Sequence, residues 1–338
     1  MRENSMDDFI TLAHGSGGEK YRELVQQVFQ PAFSNEYLNP LTDSAVLKGA
    51  DRIAMTTDSY VVRPLFFPGG DIGRLAVSGT VNDLAVSGAC PKYISVGMIL
   101  EAGLEIDTLV RIVDSMARTA EEAGVCIVTG DTKVVESKSA DGIFINTAGL
   151  GVFLPDQTVP AQKIAAGDCI IISGYAASHG MAVMTKRENI EFSPSIESDV
   201  APLGKLVNAV LENSNHSIHA MRDPTRGGVA ATLCEWVTAD TDIILYDNAV
   251  PVRPDVSAAC RILGLDPLYI ANEGVILFAV PKDCAKSVLE SLQKEPNGKN
   301  AAVIGEVRKG NGKVNAVTEL GSHRRILMPS GELLPRIC

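Results

Sequence analysis

Four aspartates lie beside small residues in loop-like or strand-end settings: Asp43 in LTDSAV, Asp58 in TTDSYV, Asp83 in TVNDLAVSG and Asp131 in VTGDTK. Magnesium takes oxygen ligands, usually one or two carboxylates, and completes its shell with water and substrate phosphates, so dispersed aspartates at strand ends form a workable site. Taken singly, each reads better as a turn or helix cap; taken together, the four ask for more than capping. Asp71 in PGGDIG reads as the N-cap of the helix that follows it. Lys133 stands two residues after Asp131 and would share a strand face with it. An ammonium there can hold phosphate or, if desolvated, move protons, and it can equally be a surface lysine paired to its neighbour. Glu273 in IANEGV precedes an apolar strand. At a cleft edge it would serve as a base; in a solvated turn it would do nothing.

Two glycine-rich stretches could cradle phosphate: HGSGGEK, with Gly15, Gly17 and Gly18, and RDPTRGGV, with Asp223 and Arg226, each followed by a helical run. Glycine permits close backbone approach, and amides at a helix start favour anions. Neither stretch is a Walker A loop, and no strand is followed by the G-x-G-x-x-G dinucleotide pattern, so a bound nucleotide would be held by another route. The histidines form no triad with a serine in a nucleophile elbow. Seven cysteines, at 90, 126, 169, 234, 260, 284 and 338, are scattered without CxxC or close Cys/His pairs, which fits neither a zinc site nor a disulfide framework. Cys126 and Cys169 read as small buried apolar residues. Cys338 differs, because it closes the run PSGELLPRIC with a thiol.

These residues must be positioned by alternating short strands and helices. The runs RIAMTTDSYVV, YISVGMIL, CIVTGDTKVV and IFINTAGLGVFL read as strands, and IGRLAVSGTVNDLAVSG and IDTLVRIVDSMARTAEEAG as helices. After the proline-containing connector PDQTVPAQKIAAGD, a second series opens at CIIISG, with helices near 201–213, 226–239, 254–263 and 282–294 and strands DIILYD, GVILFAV and AAVIGEV. The fold class expected is α/β (α+β) in two domains: an N-terminal segment 1–42, a domain 43–155, a second α/β domain 156–310, and an irregular tail 311–338. Fully extended, that tail could reach on the order of 90 Å, to a cleft of its own chain or another protein.

The chain has 338 residues, 46% of them hydrophobic and only 5% aromatic, enough for two largely aliphatic cores. A formal charge of −11 argues against a general nucleic-acid or anionic-membrane binder. No apolar run approaches the ~20 residues of a membrane span, and the start MRENSMDDFITLAHGSGG has no signal-peptide core. A cytoplasmic protein is expected.

The strings LAHGSGG, TTDSYVVRPLFFPGGDIGRLAVSGTVNDLAVSGA, IVTGDTKVV, FINTAGLG, MRDPTRGGV, ANEG and PRIC run in this order over essentially the whole chain. Together they closely resemble the HypE family of nickel–iron hydrogenase maturation proteins, within the superfamily of aminoimidazole ribonucleotide synthetase and selenophosphate synthetase. The resemblance implies the two-domain fold of that superfamily, paired as a homodimer through the N-terminal domains, with ATP bound near that interface without a P-loop. It implies that Cys338 receives a carbamoyl group from the partner HypF. The chain would then dehydrate the thiocarboxamide to a thiocyanate with ATP and Mg2+, and pass the cyano group to iron on the HypC–HypD complex. On this reading Asp43, Asp58, Asp83 and Asp131 bind metal and nucleotide, Lys133 and Glu273 act around the modified thiol, and Asp223 and Arg226 lie near phosphate. Two rival readings remain: a superfamily enzyme acting on a free small molecule, which leaves Cys338 without a task, and a non-catalytic iron scaffold, which leaves the aspartates, Lys133 and Glu273 without one.

Overall fold

The computed structural model describes residues 7–16, 18–42, 44–153, 162–331 except 214–217, and 337. Two sheets organise them. The first has the order β1-β6-β4-β5, formed by β1 (Ile53–Tyr60), β4 (Cys90–Glu101), β5 (Cys126–Val135) and β6 (Ile143–Val152). A small pair, β2 (Phe66–Phe67) and β3 (Gly70–Asp71), leads into the helix α3 (Ile72–Val86). Only β4 and β5 run parallel, and the return between them is made by α4 (Ile106–Ala123), as a parallel pair requires. The short helices α1 (Glu19–Leu24) and α2 (Gln30–Phe33) flank this unit.

Local chemistry sets the helix bounds. Asp71 caps α3 as the sequence suggests, its Oδ1 accepting the backbone N–H groups of Gly73 (2.8 Å) and Arg74 (3.1 Å). α4 is strongly amphipathic and stops at Gly124, which takes the left-handed conformation (φ 73°) that a C-terminal cap favours. α3 is different: almost all of its residues are buried, including the polar Ser78, Thr80 and Asn82. A helix hydrophobic on one stripe only could not sit there; α3 has the sheet on one side and the second domain on the other.

The second sheet has the order β13-β12-β9-β11-β7-β10-β8, from β7 (Asp168–Ile172), β8 (Ala220–Arg222), β9 (Thr241–Tyr246), β10 (Leu277–Pro281), β11 (Ala302–Lys309), β12 (Val314–Val317) and β13 (His323–Ile326). Its helices are α5 (Ser178–Arg187), α6 (Gly204–Asn213), α7 (Gly228–Trp236), α8 (Pro254–Leu263) and α9 (Ala285–Lys294). All of its pairings are antiparallel except β12 with β9. The α/β (α+β) class expected from the sequence is the class observed.

Several local expectations change. The stretch from 311 does not fade into irregular chain: β12 and β13 extend the sheet, because Val314, Ala316 and Ile326 bury their side chains in its core even though their alternation is only four residues long. α5 was not expected; its small residues and single His–Gly pair carry no helix period in sequence, and burial on nearly all sides replaces an amphipathic stripe. Cys126 and Cys169 are half-buried rather than fully buried, whereas Cys260 is buried. Half of the connector, residues 155–161, lies outside the described residues. Among the described residues no helix is long and apolar enough to cross a membrane.

The register of the first sheet fixes two opposed faces. The row Asp58–Thr147–Val96–Gly130 lies on the side of α3, and the adjacent row Ser59–Asn146–Gly97–Asp131 on the other. The outer face carries the exposed apolar side chains Ile53, Met55 and Ile99. α3 approaches the inner face so closely that a Cβ at Gly149 of β6 would stand 2.5 Å from Thr80 Cγ2 and 2.9 Å from Leu84 Cδ1. Gly149→Ala is therefore expected to push α3 off the sheet and cost about 1–3 kcal/mol in chemical denaturation. Gly49→Ala, where an added Cβ meets nothing within 4 Å, should change stability by less than about 0.5 kcal/mol.

Candidate functional site

Asp83 sits on α3 immediately after Asn82, and its Oδ2 accepts the Thr56 hydroxyl of β1 at 2.8 Å. Two residues along β1, Asp58 shares that inner face. Its Oδ1 accepts the Ser59 N–H at 2.8 Å and lies 3.5 Å from Arg226 Nη2, which reaches across from the second domain. Arg226 and Asp223 belong to the turn that enters α7. Gly227 and Gly228 both hold positive φ there, and a Cβ on Gly228 would meet the carbonyl oxygens of Leu268 and Ile270 at 2.6 Å. RDPTRGG thus needs its glycines for the turn and for packing, and the turn presents Asp223 and Arg226 to the aspartates of the first domain.

The sequence left Glu273 balanced between a cleft and a solvated turn; it is buried, with 3% exposure. Its backbone is held from three sides. The N–H donates to Asp199 Oδ1 (3.4 Å), and the carbonyl accepts from Asn82 Nδ2 (3.3 Å) and Ala201 N (3.4 Å). Asn82 also donates to the Ala201 carbonyl (3.1 Å) and accepts from Leu203 N (2.7 Å). One side chain of α3 therefore fastens the loop of Glu273 next to Asp83.

The electrostatics of this cleft are one-sided. Burial, then the Asp223 and Asp199 carboxylates, hold the Glu273 carboxyl well above its ordinary pKa. Asp223 occupies a recess that water reaches only in part; desolvation first, then Asp83 and Asp58, push it up to about 7. Desolvation likewise pushes Asp199 up to about 6, against the backbone N–H groups it accepts. Asp83 is raised by desolvation in spite of its bond from Thr56. These are carboxyls crowded together without enough positive charge, a pattern typical of sites that receive a cation or trade protons.

Asp131 and Lys133 do share a strand face, and Lys133 Nζ lies 2.6 Å from Asp131 Oδ2. That bond holds the Asp131 carboxyl below its ordinary range. Both residues, however, are exposed on the outer face, so the sheet stands between them and the cleft of Asp58, Asp83 and Glu273. Of the three expected aspartates among the described residues, Asp58 and Asp83 meet in the cleft and Asp131 does not, because side chains of odd and even residues in a strand leave on opposite faces. Among the described residues no three His, Cys, Asp or Glu side chains converge as a metal cage. Asp43, Gly17 and Cys338 lie outside the described residues. Gly15 is a packing glycine: an added Cβ would stand 2.8 Å from Val134 N, so its loop lies directly on β5 beside Lys133. Gly18 is open, with nothing within 4 Å of an added Cβ. A cavity of about 620 Å3 opens between the N-terminal helices and β5, with Tyr21, Arg22, Phe33, Tyr37, Gly130 and Asp131 in its wall.

Sequence reasoning missed Asn82, Asp199 and His179. Asn82 had a signal, since it precedes Asp83 in VNDL; Asp199 and His179 stand in stretches without a motif. Yet His179 is fully buried on the first turn of α5, with Nδ1 2.8 Å from Ser198 Oγ and Nε2 2.9 Å from the carbonyl of Ile337. Ile337 itself is 4% exposed and shares an apolar cluster with Val183, Val200 and Ala271.

The family described as AIR synthase related protein matches with its N-terminal domain over residues 41–153 and its C-terminal domain over residues 165–317. The carbamoyl dehydratase HypE of Bradyrhizobium diazoefficiens is 47% identical over 332 residues, covering 97% of this chain and 96% of its own. A crystal structure of the hydrogenase maturation protein HypE in complex with ATP superposes with a TM-score of 0.93 at 44% identity, over 97% of this chain and 99% of that one. The HypE chain of a HypE–HypF complex gives 0.79 at 45% identity, over 90% and 99%. With both domains matched in order and nearly half of all residues shared along their full length, the chain belongs to the AIR synthase related family and, within it, to the HypE carbamoyl dehydratases.

Proposed function

We propose that the chain is an ATP-dependent carbamoyl dehydratase of hydrogenase maturation whose substrate is a carbamoyl group carried on its own Cys338. The oxygen of the thiocarboxamide attacks the γ-phosphorus of ATP and ADP leaves. The resulting imidate then loses phosphate from carbon and its N–H protons, which leaves a thiocyanate. Phosphorylation turns a poor oxygen leaving group into a good one, so the protein's task is to orient, neutralise and accept protons.

What supports this reading most directly is the place of Ile337, the residue before Cys338: it is buried in one apolar cluster with Ala271, two residues before Glu273, whose carboxyl in turn feels Asp223, Asp199, Asp58 and Asp83. Glu273 is our candidate for the proton acceptor, since burial makes its carboxylate a stronger base than an exposed one. Asp58 and Asp83 fit magnesium, which needs only one or two carboxylates when phosphates and water complete its shell; held there it would neutralise phosphate charge. Arg226, which reaches Asp58, and Asp223 at the same turn are our candidates for handling the transferred phosphate.

Asp131 and Lys133 enter the same reading through a homodimer. The outer face of the first sheet carries them together with Ile53, Met55 and Ile99, and pairing two such faces would bury that apolar surface and set both residues at a site shared between subunits. HypF is the proposed donor of the carbamoyl group, and an iron scaffold such as HypC–HypD the proposed acceptor of cyanide. The HypE–HypF complex among the similar structures supports the first of these.

Incubation with HypF, carbamoyl phosphate and Mg-ATP, followed by intact and peptide mass spectrometry, tests the proposal. A carbamoyl adduct on the peptide of Cys338 should lose the mass of one water when Mg-ATP is present, and Cys338→Ala should carry no adduct. An adduct on another cysteine, or one that never loses water, would refute the reading. Glu273→Gln keeps the shape and removes the basicity; single-turnover dehydration should fall roughly 10²–10⁴-fold with ATP affinity by calorimetry unchanged. The raised carboxyls also set a pH dependence. Asp223, pushed up to about 7, keeps below that value a proton that the unfolded chain has already released, so the stability it contributes falls as pH rises through its folded pKa. His179, lowered to about 4, acts in the opposite sense only below about 6.5, its unfolded value. Between pH 7 and 8.5 the thermal midpoint of the ligand-free protein should therefore fall, and Asp223→Asn should shrink that fall.

A further inference from the structure

We propose that His179, with Ser198, is a latch for the carrier arm: its imidazole fastens the carbonyl of Ile337 inside the cleft of Glu273 and so positions the thiol one residue further on. The inference rests on the dehydratase reading for the identity of the cargo, not for the latch itself.

The hydrogen-bond directions leave one solution. A carbonyl oxygen only accepts, so the 2.9 Å contact to Ile337 requires the proton on Nε2. The neutral ring then offers Nδ1 as acceptor, and the Ser198 hydroxyl at 2.8 Å donates to it. Ser198 Oγ in turn accepts the N–H of Val200 at 3.1 Å. The chain from Val200 through Ser198 and His179 to Ile337 runs one way and fixes the tautomer. Complete burial favours the neutral ring that this chain needs, pushing the imidazole down to about 4. The ring of Phe67 meets it edge-on, centroids 5.4 Å apart, and fixes its plane.

The latch and Glu273 form one rigid unit. The N–H of Gly180, next to His179, donates to the Ala271 carbonyl at 3.1 Å, two residues before Glu273. Ala177 N donates to Asn272 Oδ1 at 2.7 Å. Asp199, next to Ser198, accepts the N–H groups of Glu273 and Gly274 at 3.4 and 3.1 Å. A histidine serving only the core would find its partner in the scaffold. His179 instead spends its one donor on a residue adjacent to Cys338, whose arm must leave the cleft to be loaded and to unload. A single neutral hydrogen bond plus one buried isoleucine is the kind of contact that holds and still releases.

His179 is thus a positioning residue, and its test reads the arm separately from the chemistry. In the full-length protein, the rate of alkylation of Cys338 by N-ethylmaleimide, followed by peptide mass spectrometry, should rise roughly tenfold in His179→Ala, the scale of one lost buried hydrogen bond. His179→Gln, whose amide N–H can take the place of Nε2–H, should restore much of the protection. The other cysteines should react at unchanged rates. In the dehydration assay His179→Ala should lower the single-turnover rate while leaving the KM for Mg-ATP unchanged. Equal alkylation of Cys338 in wild type and His179→Ala overturns the latch, whatever the dehydration result. Should His179→Ala unfold, His179→Phe, which keeps the ring shape and removes both nitrogens, must raise the alkylation rate likewise, or the latch is refuted. If wild type itself makes no thiocyanate, the dehydratase reading fails while the alkylation rates still judge the latch.

Discussion

The cleft depends on the side-chain amide of Asn82. It lies on a helix that is buried on every side, and it spends both donors and its acceptor on the second domain, on the carbonyls of Ala201 and Glu273 and the N–H of Leu203. A buried amide left unpaired would cost more than the same group in water, so the contact is made in full or the two domains do not close in this register. Around it, Arg74 Nε donates to the Val200 carbonyl and Ser198 N to the Pro68 carbonyl. The same few residues, 198–203, thus meet the first domain, the loop of Glu273 and the latch on Ile337.

That closure gathers negative charge. Asp58 and Asp83 come from the first domain, Asp199, Asp223 and Glu273 from the second, and Arg226 is the cation that bridges them at Asp58. Hydrophobic burial must offset the repulsion and desolvation of these groups, and the continuous aliphatic clusters on both sides of α3 do so. The repulsion is relieved in two ways that suit the proposed chemistry, by protons on the buried carboxyls or by a cation with its phosphates. A site built this way is unsatisfied at rest and gains on loading.

Sheet geometry imposes the other constraint. Alternation places Asp58 and Asp131 on opposite faces although the register brings them into adjacent rows. The sheet thus divides an inner, crowded, acidic cleft from an outer, exposed face that carries the ion pair of Lys133 and Asp131. The ion pair of Lys133 and Asp131, both largely exposed, adds little to stability. Its value is therefore to be sought in what binds there.

The sequence by itself determined the elements whose physics is local. Periodicity placed most strands and helices, Asp71 declared itself a cap, and the spacing of Asp131 and Lys133 put both on one face. Motif order along the whole chain identified the family. What it could not decide is anything that depends on which surfaces meet. Glu273 is buried rather than solvated because the second domain closes over α3, and β12 and β13 are strands because a sheet edge was available to pair with them. The glycines of HGSGG and RDPTRGG look alike as strings, yet Gly15 is there for packing on Val134 and Gly228 for a turn under Ile270. Asn82 has only its place before Asp83, and Asp199 and His179 carry no local pattern at all: the roles of the three come from partners 119, 75 and 158 residues away along the chain, and burial, desolvation and hydrogen-bond partnership exist only once the chain has folded.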